Sequence, residues 1–160
     1  EEQANILENN LHVLYYKKKD IIFRQDTRAY DLMFVQSGLV KIFKNSRNER
    51  NLILKVARNG DYIGLMALFG KKVYEYSAAA LTDCKIYHFD YTVFKSVLAE
   101  NGKFALSFLK FMSIDGLFLF DKLLSQSYKQ LPGRVADVLL YFSEEIFHSQ
   151  NFTLYPQRTS

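Results

Sequence analysis

Short apolar runs alternate with polar turns between residues 11 and 89. The runs lie at residues 13–16, 21–23, 32–35, 39–43, 52–56, 77–80 and 85–89. Within residues 39–43, apolar and polar side chains alternate, which is typical of a strand with one buried face. Gly38 favours a turn before this run, and the polar residues 45–51 predict a hairpin tip after it. Many short strands with regular turns predict an antiparallel β-roll or barrel.

The pattern changes from strand to helix at Asp90. This residue is a favourable N-cap, and residues 91–98 carry apolar side chains at helical spacing. Residues 100–102 interrupt the spacing, and a longer helical segment follows from about residue 103 to residue 130. We expect the Leu-Pro-Gly sequence at residues 131–133 to end that helix and residues 134–147 to form another. The predicted fold class is therefore α+β, with a β-roll followed by a long helix.

The long helical segment has two apolar faces. The first is a seam with alternating spacings of four and three residues: Ala105, Leu109, Met112, Gly116, Leu119, Leu123 and Gln126. The second consists of phenylalanines: Phe104, Phe108, Phe111 and Phe118. Because one helix cannot bury both faces by itself, the pattern predicts a homodimer with the seam on the twin helix and the phenylalanines on the roll. A monomer whose helix folds onto its own roll is the alternative.

The composition narrows the class of protein without identifying it. Of the 160 residues, 49% are hydrophobic, which is sufficient for a globular domain with a core. The net charge of +4 is compatible with an association with DNA, although no dense stripe of lysine and arginine occurs. The sequence predicts no membrane-spanning helix, since it lacks an apolar run of about eighteen residues. The acidic residues 1–10 do not have the pattern of a signal peptide.

The residues that most often carry chemistry are few. The single cysteine, Cys84, can form neither an internal disulfide nor a four-cysteine iron–sulfur cluster within this chain, and we interpret it as a packed side chain. The three histidines lack metal-ligand spacing, and we expect His88 to face solvent or to make a hydrogen bond at a strand edge. No P-loop, Gly-x-Ser-x-Gly motif or nucleophile with a base occurs. The sequence therefore predicts neither a metal site nor an enzyme.

Residues 59–80, NGDYIGLMALFGKKVYEYSAAA, combine a glycine turn, a short apolar segment, a loop and a strand of small residues. This order resembles the phosphate cassette of the Crp/Fnr transcription regulators, the catabolite activator and its relatives. Residues 17–44 are similar to the opening strands of that family, which usually has glycines near Lys19 and Asp26. Residues 131–142, LPGRVADVLLYF, resemble the junction at which the family's DNA-binding domain begins. The resemblance covers nearly the whole chain.

This resemblance implies a ligand-binding site on the cassette and the long helix. Its expected residues are Gly64, Leu65, Met66, Ala67, Tyr76, Ser77, Ala78, Leu119 and Phe120. In cAMP-binding members of the family, a glutamate grips the ribose, an arginine neutralises the cyclic phosphate and two helix hydroxyls contact the adenine. The corresponding residues here are Leu65, Tyr76, Leu119 and Phe120, so we expect that cAMP is not the effector.

Three interpretations of the altered cassette follow. It binds a less anionic or more apolar effector, or aromatic side chains fill it and hold the protein in one state, or Lys71 or Lys72 holds an anionic ligand. If rings fill the cassette, at least two of Leu65, Tyr76 and Phe120 are expected within its cavity.

The function that the resemblance implies is effector sensing and dimerisation in a cytoplasmic Crp/Fnr-type regulator that binds DNA and has an unknown small-molecule effector. The expected parts are a β-roll sensing domain with flanking helices at residues 1–101, a dimerisation helix at residues 102–131 and the start of a DNA-binding domain at residues 132–160. The helix-turn-helix of that domain is expected outside this chain. A stand-alone ligand-binding or regulatory module of the cyclic-nucleotide type and a haem-based gas sensor are the alternatives.

Overall fold

The computed structural model describes residues 10–45 and 51–149. Its contacts divide the chain into two compact units, the first up to Gly102 and the second from Lys103 onward. Most of the predicted hairpin tip at residues 45–51, and the chain beyond residue 149, lie outside the described residues. Within the described part, no helix is long and apolar enough to cross a membrane.

The described residues of the first unit form eight strands in two antiparallel sheets. The strands are β1 (Leu11–Tyr16), β2 (Ile21–Phe23), β3 (Asp31–Ser37), β4 (Val40–Lys44), β5 (Leu52–Ala57), β6 (Tyr62–Ile63), β7 (Ser77–Ala80) and β8 (Cys84–Asp90). One sheet has the order β1-β8-β3-β6 and the other the order β2-β7-β4-β5. Every predicted apolar run corresponds to a strand. The predicted α+β class, with antiparallel sheets preceding a long helix, is confirmed.

The core of the first unit is formed by side chains from both sheets. Leu32, Val35 and Ile86 of one sheet and Val40 and Ala78 of the other are completely buried. Their burial provides most of the driving force for this unit, since removing apolar surface from water is the dominant favourable term in folding.

The turn between β3 and β4 requires the glycine that the sequence places there. Gly38 has a φ of +91°, and a Cβ added to it would lie 2.5 Å from the carbonyl oxygen of Asp83. A side chain at this position would therefore clash with the backbone that leads into β8.

Two other tight turns adopt the left-handed conformation without glycine. Lys19 has a φ of 80° and Asp26 a φ of 64°. Both turns are fixed by backbone hydrogen bonds, from the Lys19 N–H to the Ala80 carbonyl at 2.8 Å and from the Asp26 N–H to the Tyr74 carbonyl at 2.7 Å. These are the two places near which the Crp/Fnr family usually has glycine, so the turns keep their backbone shape although the residues have changed.

Within residues 51–149, four α-helices lie between and after the strands: α1 (Leu65–Phe69), α2 (Tyr91–Glu100), α3 (Gly102–Tyr128) and α4 (Leu131–Leu140). A π-helical turn, Tyr141–Ile146, continues α4. The predicted cap of α2 is confirmed, because the Asp90 carboxylate accepts hydrogen bonds from the backbone N–H groups of Thr92 and Val93 at 2.7 and 3.1 Å. These bonds satisfy donors that a helix start otherwise leaves unpaired.

The junction between α3 and α4 differs from the prediction. The long helix ends at Tyr128, and α4 begins at Leu131 with Pro132 in its first turn. The expected start at residue 134 was wrong, because proline is tolerated in the first helical turn, where its missing N–H has no partner to lose. The helical segment does end near residue 147, as expected, although its backbone changes from α-helical to π-helical at Tyr141.

Candidate functional site

The segment 59–80 that carries the predicted site begins at a turn tied to β3. The Val35 N–H donates to the Asp61 carbonyl at 2.9 Å, and the Gly60 N–H donates to the Val35 carbonyl at 3.0 Å. The Asp61 carboxylate lies 3.4 Å from the Lys55 ammonium, and both side chains are largely buried. This turn therefore fixes the start of the segment on the edge of the sheet.

Gly64 connects β6 to α1 in the left-handed conformation. Its φ is +83°, and an added Cβ would lie 3.1 Å from a ring carbon of Tyr74. Its carbonyl accepts the first hydrogen bond of α1, from the Ala67 N–H at 3.1 Å. The glycine is thus required both by the backbone turn and by the close approach of the Tyr74 ring.

Leu65, the residue predicted at the position of the family's glutamate, is part of the core. It is 5% exposed and lies on the buried face of α1 together with Ala67 and Leu68. Met66, between them, faces outward and is exposed. A carboxylate in the position of Leu65 would lose most of its hydration, so this environment suits the leucine that is present.

Tyr74 is a residue of the site that the sequence analysis did not identify. It is 4% exposed, and its ring stacks on Phe23 with 4.0 Å between centroids. Burial raises the pKa of its hydroxyl far above the ordinary value, and the nearby carboxylate of Asp31 acts in the same direction. No motif marks this tyrosine, because its burial depends on β2, which is distant in sequence.

Tyr76 and Ser77 are the residues predicted at the positions of the family's arginine and of the serine that follows it. The Tyr76 ring is half-buried and lies 5.8 Å from the Phe23 ring. The Ser77 hydroxyl is buried and accepts a hydrogen bond of 2.9 Å from the Gln25 N–H. Ala78 follows in the core. The hydroxyl that would otherwise face a ligand is therefore bonded to the backbone of the neighbouring turn.

The cationic side chains within residues 59–80 are Lys71 and Lys72. Lys71 forms an exposed ion pair with Glu75 at 2.8 Å, and the two residues are spaced i,i+4 on the loop. The Lys72 ammonium lies 5.8 Å from the centre of the Tyr91 ring. Neither lysine is buried. A single exposed ion pair of this kind contributes little to stability, so the loop is held mainly by its backbone contacts and by Tyr74.

His88 differs from its prediction. It is 7% exposed and lies on β8, between β1 and β3, rather than facing solvent or occupying a strand edge. Its Nε2 lies 3.2 Å from the Tyr16 hydroxyl, and its Nδ1 lies 3.4 Å from the Asp31 carboxylate. Burial lowers the pKa of His88, and Asp31 partly opposes that effect. The reason for the error is that strand order, which the sequence does not reveal, decides which strands are interior.

No group of three or more His, Cys, Asp or Glu side chains is arranged to hold a metal ion in the part of the chain that the structure describes. Cys84 is buried, and its thiol donates to the carbonyls of Leu39 and Thr82 at 3.3 and 3.2 Å. Burial raises the pKa of the thiol. Its environment is that of a packed side chain, as predicted.

The helix residues of the predicted site belong to the second unit. Leu119 is half-buried on α3, whereas the ring of Phe120 is 66% exposed. Among the predicted seam residues, Leu109 and Leu123 are exposed, and Ala105, Met112, Gly116 and Leu119 are half-buried. Phe108 is buried, and the other phenylalanines of the second face are half-buried.

Comparisons with known proteins identify relatives of this chain. The family profile described as "Cyclic nucleotide-binding domain" matches residues 13–101. The chain is 30% identical over 134 residues to the anaerobic regulatory protein of Bacillus subtilis, covering 83% of this chain and 51% of that protein. It is 23% identical over 139 residues to the cAMP-activated global transcriptional regulator CRP of Salmonella typhimurium, covering 86% of this chain and 66% of that one. The chain thus spans about half the length of the Bacillus protein.

Solved structures share the fold. The c-di-GMP responsive global regulator CLP of Xanthomonas campestris matches with a TM-score of 0.77 and 20% identity, covering 98% of this chain and 76% of that chain. FixK2 from Bradyrhizobium japonicum matches with a TM-score of 0.76 and 21% identity, covering 84% and 66%. The names of these relatives describe regulators rather than enzymes.

Proposed function

Because this chain belongs to the cyclic nucleotide-binding domain family and is similar to the anaerobic regulatory protein and to CRP, we propose that it is the effector-sensing and dimerisation region of a Crp/Fnr-type transcription regulator and that it does not respond to cAMP. The observation that carries the second part is the environment of the cassette. Leu65 is packed in the core, and Tyr76 lies against Phe23 where an arginine would be needed. The nearby lysines, Lys71 and Lys72, are exposed on the loop.

The energetic argument concerns the cyclic phosphate. A charge-assisted hydrogen bond contributes roughly 1.5–3 kcal/mol, and each 1.4 kcal/mol changes the dissociation constant about tenfold. Losing the contacts of both the glutamate and the arginine therefore weakens cyclic nucleotide binding by more than about a hundredfold. A phosphate placed against Tyr76 would also be desolvated without a counter-charge.

Of the interpretations that the sequence allows, the packing supports a cassette occupied by its own side chains. Tyr74 fills the space beside Gly64, and the Ser77 hydroxyl is already bonded to Gln25. An incoming ligand would have to displace a buried ring and break a buried hydrogen bond, both of which cost free energy. In this proposal its own side chains close the cassette, and an effector acts by competing with the Tyr74 ring.

The proposed regulatory signal is a change in the geometry of the two paired α3 helices of a homodimer. In a homodimer through α3, the angle between the two helices sets the separation of whatever follows α4. For a regulator with helix-turn-helix domains, the two reading elements must match half-sites about 34 Å apart on DNA. A change in the helix pair then alters DNA affinity, which is allosteric coupling in the thermodynamic sense.

Isothermal titration calorimetry of the purified chain with cAMP and cGMP tests the cassette proposal. We expect no saturable binding at nucleotide concentrations up to about 1 mM, because the phosphate lacks a counter-charge. A micromolar dissociation constant for either nucleotide would overturn the proposal and direct attention to Lys71 and Lys72.

The variant Tyr76→Arg supplies the missing cation and should bind cAMP about tenfold more tightly than the unaltered chain in a titration followed by NMR. Tyr15→Arg, at an exposed tyrosine of β1, is the matched control and should not change binding.

A further inference from the structure

Helices α3 and α4 of the second unit are joined by a set of polar and cation–aromatic contacts. The Ser125 hydroxyl donates to the Asp137 carboxylate, and the Lys129 ammonium lies 2.7 and 2.9 Å from the two oxygens of that carboxylate. The Lys122 ammonium lies 5.1 Å from the centre of the Phe118 ring and 5.0 Å from that of Tyr141. These contacts recur over three turns of α3, so α4 and the π-helical turn fold back along the end of the long helix.

The absence of a side chain at Gly133 lets the start of α4 lie close to Lys129. A Cβ added to Gly133 would lie 3.3 Å from the Cβ of Lys129, closer than most real contacts of that kind. The first turn of α4 can therefore lie directly beside Lys129, the residue that follows α3. This places Asp137, one turn further along α4, beside Ser125 and Lys129.

Apolar burial contributes little to holding α4. Its aliphatic residues Val135, Val138 and Leu139 are each about half exposed. In contrast, Lys122 is half-buried between two rings, and burial lowers the pKa of its ammonium. Hydrogen bonds from Lys129 and Ser125 hold the pKa of Asp137 below its usual range. The Asp137 carboxylate is therefore stabilised in the folded-back arrangement, whereas the Lys122 ammonium loses hydration there and gains the contact with the two ring faces.

We propose that Lys122 and Asp137 are positioning residues that form a releasable latch with Phe118, Tyr141, Ser125 and Lys129, and that this latch sets the direction in which α4 leaves α3. Polar latches differ from apolar interfaces because each contact is individually weak and can be exchanged for water. The latch lies within the second unit and depends on neither an effector nor DNA. Its failure would leave the proposed function of the cassette untouched.

The latch has two parts that differ in chemistry: the Lys122 cation between two rings, and the Asp137 carboxylate with Lys129 and Ser125. A cation between two aromatic faces is stabilised by the ring quadrupoles, and arginine can replace lysine there whereas methionine cannot. The Asp137 half requires a negative charge to attract Lys129, so asparagine keeps the shape and the acceptor for Ser125 but loses the ion pair. Lys122→Met and Asp137→Asn therefore remove charge with little change in volume.

Double electron–electron resonance between spin labels on α3 and α4 measures the distance between the two helices and how widely it varies. Cysteines are placed at the exposed positions Ser107 and Ala136 in a Cys84→Ala background. Mixing the labelled chain with an excess of unlabelled Cys84→Ala chain leaves one labelled subunit per dimer, so the labels report the distance between the two helices of one subunit. We expect one narrow distance distribution in the otherwise unaltered chain. The double variant Lys122→Met/Asp137→Asn should broaden it, with the population at other distances increasing about tenfold.

Control variants exclude a general loss of structure. Lys110→Met and Asp121→Asn remove a lysine and an aspartate from exposed positions of α3 and should leave the distribution narrow. Lys122→Arg should also keep it narrow because the cation is retained. An unchanged distribution in the double variant, with helix content preserved by circular dichroism, would overturn the latch. Equal broadening in the double variant and in the Lys110→Met control would overturn it as well.

Discussion

At the scale of single residues, this chain tolerates side chains in turns that are usually left to glycine. Lys19 and Asp26 both have positive φ values, and neighbouring backbone hydrogen bonds hold each of them there. A non-glycine residue in this conformation is strained by contact between its Cβ and the following carbonyl. The roll therefore determines the backbone of these turns, and the side chains adapt to it at a cost in stability.

Replacing Lys19 by glycine should stabilise the first unit. Relief of the left-handed strain exceeds the added entropy of the unfolded chain, so we expect the free energy of unfolding to rise by about 0.5–1 kcal/mol. Urea unfolding followed by circular dichroism measures the change. Lys18→Gly, in the same turn but without a positive φ, is the control and should lower stability by a similar amount. A loss of stability in Lys19→Gly equal to that of the control would contradict the argument.

His88 should make stability depend on pH. Its folded pKa is lowered by burial, whereas in the unfolded chain the imidazole titrates near its ordinary pKa of about 6.5. The unfolded state therefore binds more protons below that pH, and the free energy of unfolding falls as the pH drops from about 6.5 toward the lower folded pKa. The titratable groups that face the imidazole are Tyr16 and His12 of β1 and Asp31 of β3.

Urea unfolding at several pH values between about 7.5 and 5 tests this dependence. The contribution of His88 should reach a slope of up to about 1.4 kcal/mol per pH unit and should be missing in His88→Gln. His12→Gln, at an exposed position of β1, should keep the slope. If His88→Gln and the unaltered chain lose stability in parallel on acidification, the imidazole is not the group responsible.

At the scale of elements, the long helix α3 presents two apolar stripes that could meet a twin. The predicted seam includes Leu119 and Leu123, whereas a neighbouring stripe contains Leu106, Leu117 and Phe120, all of which are exposed. A seam with spacings of four and three residues is the pattern that coiled-coil packing requires. The exposed stripe also follows nearly this spacing. Either stripe is therefore suited to face the twin helix, and mutation distinguishes the two.

A charge on the true seam should separate the helices. We expect Leu119→Glu to give monomers in sedimentation velocity, because two buried glutamates across a dimer axis repel each other and lose hydration. Ile114→Glu, on an exposed side of α3 away from the seam, should remain dimeric. The informative comparison is Leu117→Glu. Dissociation by that variant, with Leu119→Glu still dimeric, would show that the exposed stripe forms the interface.

At the scale of the whole molecule, the two compact units carry different parts of the proposed mechanism. The first contains the roll with its occupied cassette, and the second contains the long helix, α4 and the latch. A cassette filled by Tyr74 favours one state of the roll, so regulation would depend on how strongly any effector competes with that ring. A ligand that binds only the folded state raises the melting temperature by mass action, which makes a thermal-shift screen of metabolites the natural complement to calorimetry.

Much of this architecture follows from local pattern. The apolar runs located seven of the eight described strands and missed the two-residue strand β6. The change of period at Asp90 located α2 together with its cap, because periodicity and capping depend on neighbouring residues. The sequence also predicted Leu65 and Tyr76 at the positions of the family's glutamate and arginine. These features require no knowledge of which segments meet in space.

Tertiary structure decided the features that depend on distant residues. Burial of His88 follows from the position of β8 between β1 and β3, and the packing of Tyr74 follows from its contact with Phe23 on β2. The bond between Ser77 and Gln25 and the ion pair between Lys129 and Asp137 likewise join separate elements. The sequence by itself determined most of the elements and predicted leucine and tyrosine at the charged positions of the cassette. Which side chains fill that cassette, and which ones fasten α4, was decided by the long-range packing that brings those elements together.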